Sequence, residues 1–274
     1  MRRLAVAGTW YPRGADELAA AVDRYLAAAG EPLVPEAVTA LVAPHAGLIY
    51  SGPVAAFAYA TLRRQYRAVV LVGPSHFVPF EGVSIWPAGA WESPYGPIPI
   101  AEPLAAALMR ASPLIREVPA AHAREHALEM QLPFLARRLP GVPIVPLVVG
   151  HQTRATAEAL TAALVDALHD SSRTRYGDVL LVASSDLSHY QDARVAARLD
   201  RAVITRVERL DPEGLMDLLE REPHHACGGV PMVSVLSAAQ RLGGTAARAL
   251  HYGDSGDVSG DKSSVVGYLA AAVW

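Results

Sequence analysis

Three short apolar stretches of this chain each run directly into a polar loop that carries a histidine. Residues 38–45, 68–76 and 178–189 have this form, and they end in His45, His76 and His189. In open α/β sheets, ligands bind beyond the carboxyl ends of the strands. The pattern therefore predicts a sheet of buried strands whose loops bring three imidazoles into one pocket.

The rest of the chain alternates helical and extended patterns, as α/β proteins do. Helices are predicted near 15–29, 52–64, 101–111, 125–138, 153–169, 191–209, 212–220 and 229–241. Strands are predicted near 38–43, 68–73, 143–149, 178–184, 245–252 and 264–270, with short strands and turns in the proline-rich and glycine-rich residues 77–99. Strand–helix–strand units favour parallel pairing. We expect a three-layer α/β sandwich with a mainly parallel central sheet, formed by residues 1–274 as one domain.

Composition excludes several classes of protein. Hydrophobic residues make up 51% of the 274 positions, which supports a large core, and the net charge of −3 is unfavourable for binding nucleic acid. No apolar run is long enough to cross a membrane, and the start of the chain lacks the core of an export signal. A single cysteine, Cys227, excludes a disulfide framework. We therefore expect a cytoplasmic protein.

Cys227 is a candidate metal ligand. A free cysteine is most often a small buried hydrophobe, but a helix predicted from residue 229 would lower the pKa of this thiol and favour the thiolate that metals bind. Two imidazoles and one thiolate leave coordination positions open, which is typical of catalytic metal sites. Nitrogen and sulfur ligands suit zinc, iron or copper, and the residues alone do not choose among them.

Asp186 and His189 lie three residues apart in one loop. A carboxylate that orients an imidazole makes a general base, so we assign Asp186 as the orienting group and His189 as the base. Two alternatives remain: Asp186 could cap the following helix, and His189 could be a third histidine ligand.

A second pattern, His122-Ala-Arg-Glu-His126, places two histidines four residues apart, and Glu129 follows on the same helical face. This spacing suggests a metal hydrolase, but the glutamate is misplaced relative to the H-E-x-x-H motif. We expect His122 to be dispensable. Glu125, His126 and Glu129 are candidates for groups that support the site, with a solvated helix face as the alternative.

These segments, in this order, resemble the Memo family, and within it the bacterial and archaeal proteins called AmmeMemoRadiSam system protein B. The resemblance covers nearly the whole chain. The matching segments include Ala-Gly-Thr-Trp-Tyr at 7–11, Ala-Pro-His-Ala-Gly at 43–47, Gly-Pro-Ser-His at 73–76, Glu-His-Ala-Leu-Glu-Met at 125–130, Ser-Ser-Asp-Leu-Ser-His at 184–189, Cys-Gly at 227–228, residues 255–261 and residues 265–268.

The resemblance implies a fold similar to that of the class III extradiol dioxygenases, which cleave catechol rings with Fe(II) held by two histidines and a glutamate. It implies that His45 and His76 are metal ligands and that His189 is the catalytic base. Cys227 stands where the dioxygenases have a carboxylate, and this departure puts ring cleavage in doubt.

Some members of the family bind phosphotyrosine peptides. By this resemblance we assign Trp10, Tyr50, His126 and Glu129 to a substrate or peptide pocket. The family name also implies partners, a radical SAM protein and an AMMECR-like protein.

Two functions compete at this point. The first is a metal-dependent redox enzyme with one transition metal, Fe(II) being favoured and copper or zinc being the alternatives, that acts on a small phenolic or peptidic ligand. The second is a non-catalytic module that binds a peptide or partner protein in the same pocket. Fold similarity alone does not separate them.

Overall fold

The computed structural model describes residues 1–31, 34–35, 37–169 and 178–274. Its strands are β1 (Ala40–Ala43), β2 (Ala68–Pro74), β3 (Val83–Ile85), β4 (Ala90–Trp91), β5 (Ile98–Pro99), β6 (Ile115–Arg116), β7 (Ile144–Val149), β8 (Val179–Ser184), β9 (His189–Gln191), β10 (Ala247–Asp254) and β11 (Val265–Val273). Its helices are α1 (Ala15–Ala29), α2 (Leu48–Ala60), α3 (Glu102–Ala111), α4 (Pro119–Ala123), α5 (Leu132–Arg138), α6 (Arg154–His169), α7 (Ala193–Glu208), α8 (Pro212–Arg221), α9 (Gly229–Arg241) and α10 (Gly256–Ser259).

The main sheet has the order β10-β11-β1-β8-β2-β7-β3-β6, and β9 pairs with β11. Its four central strands, β1, β8, β2 and β7, are mutually parallel, whereas β11 and β3 run antiparallel to their central neighbours. Ala43 pairs with Ser184, and Pro74 pairs with Val149, so the central strands end together at one edge. The predicted mainly parallel sheet is confirmed.

The central strands are apolar along their length because helices cover both faces of the sheet. Every residue of β1, β2, β7 and β8 is buried, as expected for parallel strands without a solvated face. Helices α1, α2 and α5 pack on one another in one layer, and α3, α6, α8 and α9 form contacts in another. Within the described residues, no helix combines the length and apolar character needed to cross a membrane.

Two helices differ from the sequence prediction. Helix α2 begins at Leu48 rather than near residue 52, and Pro53 lies inside it, because the Leu48 N–H donates to the Trp10 carbonyl and Gly47 starts the first turn. The predicted helix at 125–138 is shorter: Glu129–Gln131 form a 3₁₀ turn and α5 follows. The Glu125 carboxylate accepts the N–H groups of the next two residues, which competes with helix formation there.

Candidate metal centre

The loops after β1 and β2 and the segment before α9 bring three predicted ligands together. The ligand atoms of His45, His76 and Cys227 all lie within 4.8 Å of one another. The Cys227 Sγ lies 3.2 Å from His45 Nε2, although the two residues are 182 positions apart in the chain. The ring centroids of His45 and His76 are 5.3 Å apart. The arrangement offers two imidazoles and one sulfur to a single ion.

Hydrogen bonds fix the orientation of the His45 ring. The Ser184 hydroxyl donates to the Ala127 carbonyl at 2.7 Å, so its oxygen must accept the bond from His45 Nδ1 at 2.9 Å. The proton of neutral His45 is therefore on Nδ1, and Nε2 presents a lone pair towards Cys227. Burial, followed by the charge of His76, holds the pKa of His45 well below its ordinary value. A neutral imidazole is the form that binds a metal.

His76 is held by the buried carboxylate of Glu125. Its Nδ1 lies 2.8 Å from Glu125 Oε1, and its backbone N–H donates to Glu125 Oε2 at 2.6 Å. Burial alone would raise the pKa of Glu125, but the hydrogen bonds and charge of His76, with the N–H of Ala127, outweigh it and lower that pKa to about 2. The ionised carboxylate keeps the Nδ1 proton in place, which leaves His76 Nε2 free.

His76, Glu125 and His126 form a second cluster with atoms close enough to hold a metal ion. Its carboxylate is already engaged, because Oε1 accepts from His76 Nδ1 and from the N–H groups of His126 and Ala127, and Oε2 accepts from the His76 N–H. Binding an ion there would break these bonds. In the cluster of His45, His76 and Cys227, by contrast, the Nε2 atoms of both histidines are free of the hydrogen bonds made by their Nδ1 atoms.

The environment of Cys227 differs from the sequence expectation. Helix α9 does begin at Gly229, but burial, followed by the nearby Asp186 carboxylate, raises the pKa of the Cys227 thiol. A raised pKa favours the protonated thiol in the metal-free protein, and its sulfur lies 3.2 Å from His45 Nε2 and 3.6 Å from the Asp186 carbonyl oxygen. A metal ion would have to displace this proton, so binding would release one proton.

Asp186 and His189 do not share a hydrogen bond, although their side chains interact through their charges, so the assignment of Asp186 as the group that orients His189 stays a prediction. Asp186 Oδ1 accepts the backbone N–H of His45 at 2.7 Å, and His189 Nδ1 donates to the Leu187 carbonyl at 2.8 Å. Each side chain therefore binds a backbone group of the surrounding loops rather than the other side chain. The Leu187 carbonyl still fixes the His189 ring and leaves its Nε2 as a proton acceptor.

Trp10 and Tyr50 line a cavity of about 450 Å³ beside the centre, together with Gly8, Thr9, Tyr11, Pro12, Gly47 and Ile49. The Trp10 ring lies 4.2 Å from the His126 ring, which stacks on His76 at 4.5 Å. Burial, and then His45 and His76, lower the pKa of His126 to about 3. Three of the four residues assigned to the pocket are therefore at the cavity or next to it.

Glu129, the fourth, does not line this cavity. It is fully buried, forms an ion pair with Arg2, and accepts hydrogen bonds from the N–H groups of Ala5 and Val6 and from the Tyr11 hydroxyl. These bonds hold the N-terminal segment that carries Trp10. Glu129 thus affects the pocket only by holding that segment in place. Its buried charge is paired with Arg2, which belongs to the same segment.

His122 lies outside both clusters. Its ring is buried between Trp86 and Trp91, with centroids 5.8 Å and 5.7 Å away. It lies in the last turn of the short helix α4, whereas His126 lies in the loop after it, so the two histidines do not share a helical face. The geometry removes the basis of the hydrolase alternative.

Sequence reasoning missed several residues that hold the ligands in place. Gln131 donates to the Pro44 carbonyl and to the Ser184 hydroxyl, and Gln152 bonds the backbone around Cys227. Ser184 ends a strand inside a motif already identified, so its position next to the site was a usable signal. The two glutamines carry no such signal because their partners are distant in sequence.

Comparison with known proteins identifies the family. A family model described as "Memo-like protein" matches residues 2–272. A MEMO1 family protein of Methanosarcina acetivorans is 38% identical over 274 residues and covers 100% of this chain and 99% of its own. One from Ignicoccus hospitalis is 36% identical and covers 98% and 97%.

A solved structure has a similar fold. The crystal structure of the uncharacterized protein JW3007 from Escherichia coli K12 has a TM-score of 0.54 and 18% identity, and the match covers 85% of this chain and 99% of that one. At this identity the likeness concerns the fold alone. The matches of the family model and of its full-length relatives bear out the sequence resemblance: the chain belongs to the Memo-like protein family.

Proposed function

We propose that this protein is a non-haem metal-dependent redox enzyme that holds one transition metal ion on His45, His76 and Cys227. Fe(II) is favoured by the resemblance to extradiol dioxygenases, and copper or zinc are the alternatives. Three protein ligands leave coordination positions open for a substrate. When bound, the metal supplies a Lewis-acidic and redox-active centre.

The observation that carries this proposal is the contact between Cys227 Sγ and His45 Nε2 at 3.2 Å. Two ligands on one tetrahedral ion, each at about 2.0 to 2.3 Å, lie roughly 3.5 Å apart. Both histidines donate a hydrogen bond from Nδ1, which leaves their Nε2 atoms free. The Cys227–His45 pair is therefore close to the spacing of two ligands on one ion, and the ligand atom of His76 lies within 4.8 Å of both.

His189 is the residue that would move a proton. Its Nδ1 is occupied by the Leu187 carbonyl, which leaves Nε2 to accept a proton from a phenolic or peptidic ligand. His189 is absent from both metal-binding clusters found among the described residues. This supports a base rather than a third histidine ligand.

The cavity beside Trp10 and Tyr50 favours a second candidate function, a non-catalytic module. Both aromatic side chains are more than a third exposed and border the site, so they could stack on a peptide or partner protein. The partners implied by the family, a radical SAM protein and an AMMECR-like protein, belong to this proposal as well. A cytoplasmic location is part of both proposals.

Elemental analysis of purified protein tests the metal site. We expect one metal ion per wild-type chain, and loss of the metal in His45→Ala and Cys227→Ala. His122→Ala is the matched control, since it removes a buried imidazole outside the site and should keep the metal. Unchanged occupancy in both ligand variants would refute the ligand assignment.

Oxygen consumption with a series of catechols tests the redox activity. We expect His189→Ala to retain the metal and to lose turnover by about 10² to 10⁴-fold, as is typical when a general acid or base is removed. Metal loss in His189→Ala would show that it is a ligand. No turnover by the metal-loaded wild type, together with peptide binding that weakens in Trp10→Ala, would favour the binding module.

A further inference from the structure

The loop after β7 carries a residue whose side chain binds the backbone of the candidate metal ligand Cys227. Gln152 lies between β7 and α6, and its Nε2 donates to the Cys227 carbonyl at 2.6 Å. Its Oε1 accepts the N–H of Val230 at 2.9 Å. One amide thus spans the turn that joins Cys227 to the first turn of α9.

Helix α9 needs this contact because it has no cap of its own. Its N-cap residue is Gly228, which has no side chain, and the first N–H groups of a helix lack partners within the helix. A glycine is required there: a Cβ on Gly228 would lie 2.5 Å from the Ser184 carbonyl oxygen. Gln152 therefore supplies from a distant loop the acceptor that the N-cap cannot.

The loop after β8 holds the other side of the same turn. The Cys227 N–H donates to the Asp186 carbonyl at 3.2 Å, and the Gly228 N–H donates to Ser185 Oγ at 2.9 Å. These bonds do not involve the Cys227 carbonyl or the Val230 N–H, which are both bound by the Gln152 amide. Gln152 completes the set, so the turn is fixed from two strand ends.

The backbone that precedes Gln152 is bound to the neighbouring loop after β2. The N–H groups of Gly150 and His151 donate to the carbonyls of Gly82 and Phe80 at 3.0 Å and 2.8 Å. A Cβ on Gly150 would lie 2.0 Å from the Phe80 carbonyl oxygen, so the two loops are in close contact. The backbone at Gln152 is therefore held in place, and its side chain can hold the Cys227 backbone in turn.

We propose that Gln152 is a positioning residue for Cys227, which sets the direction of the sulfur towards His45 and His76. The inference rests on the proposed metal site, and it adds the fourth central strand, β7, to the three that already serve the centre. Groups that orient metal ligands typically change metal affinity by about 10 to 100-fold when removed.

Titration with Co(II) tests this inference, with the thiolate-to-metal charge-transfer band as the readout. We expect Gln152→Ala to weaken Co(II) binding by about 10-fold or more and to shift or weaken the band. Gln152→Glu keeps an acceptor for Val230 but loses the donor to the Cys227 carbonyl, so it should not restore the band. Gln240→Ala is the matched control, because its amide donates to the Leu210 carbonyl at the far end of the same helix.

Alkylation of Cys227 by iodoacetamide in the metal-free protein gives a readout that needs no metal. We expect faster alkylation in Gln152→Ala than in wild type and Gln240→Ala, with the thermal unfolding midpoints recorded for all three. Unchanged affinity, band and alkylation in Gln152→Ala would overturn the inference and leave the metal site intact. Equal effects in Gln240→Ala would also overturn it, since general loosening of α9 would explain them.

The absence of a thiolate band in wild type would refute the metal proposal instead. In that case the alkylation rates decide whether Gln152 positions Cys227.

Discussion

The ion pair between Arg2 and Glu129 should be a major contributor to the stability of the N-terminal segment. Both side chains are almost completely inaccessible to solvent. Glu129 also accepts from the N–H groups of Ala5 and Val6 and from the Tyr11 hydroxyl, so one carboxylate secures four donors. The Arg2 guanidinium has further acceptors in the carbonyls of His122 and Glu125, but no second carboxylate contacts it among the described residues.

Replacing Glu129 by Gln keeps the volume of the side chain and removes its charge. The amide can still accept from Val6 and Tyr11, but its NH₂ group then faces two donors, Arg2 and the Ala5 N–H. Leaving a buried charge without its partner costs about 3 to 5 kcal/mol. Since small domains have free energies of unfolding of roughly 5 to 15 kcal/mol, this change should be large.

Urea denaturation followed by circular dichroism measures the effect. The matched control is Glu220→Gln, which removes one of three acidic partners of Arg154 at the surface; it should cost less than about 1 kcal/mol. Combining Glu129→Gln with Arg2→Met should restore part of the lost stability, because no uncompensated charge remains. A loss below about 1 kcal/mol in Glu129→Gln alone would refute this reasoning.

Two further predictions concern the histidines. Glu125→Gln should weaken metal binding by about 10 to 100-fold, because the ionised carboxylate that orients His76 is lost. Glu102→Gln is the control, since Glu102 is exposed and accepts one backbone N–H, and it should leave the metal affinity unchanged. Equal affinities of the two variants in a metal titration would contradict the role of Glu125. Burial and then the charge of Arg2 lower the pKa of His122 to about 4, from an ordinary value of 6.5. The unfolded chain therefore binds this proton first, and the free energy of unfolding should decrease as the pH falls from 6.5 towards 4. Urea denaturation of metal-free protein at pH 7 and pH 5 should show that wild type loses about 2 kcal/mol more than His122→Leu, and equal losses would show that His122 is not protected from protonation.

Much of the fold could be predicted from the sequence because its signals are local. A buried parallel strand is a continuous apolar run, and the loop that follows it starts at a defined point, so His45 and His76 could be placed at one edge of the sheet. The Asp–His pair shows the limit of such reasoning. Proximity in one loop suggested a bond between Asp186 and His189, but each side chain found a nearer backbone partner.

The roles of Glu125 and Glu129 depend on the tertiary structure. They lie four residues apart in one segment, and local pattern gives them similar roles. In the folded chain Glu125 holds His76, whereas Glu129 pairs with Arg2, 127 residues away. The partner of a buried carboxylate is set by which distant segment packs against it in the folded chain.

Backbone preferences and apolar periodicity act over a few residues, so the alternation of elements, the sheet and the residue types of the centre could be predicted from the sequence. The tertiary structure decided which atoms of those residues face each other. The contact of Cys227 with His45, the raised pKa of that thiol and the span of Gln152 all depend on segments that meet only when the sheet has formed. Burial and hydrogen bonding are properties of the assembled site, so no local pattern encodes them.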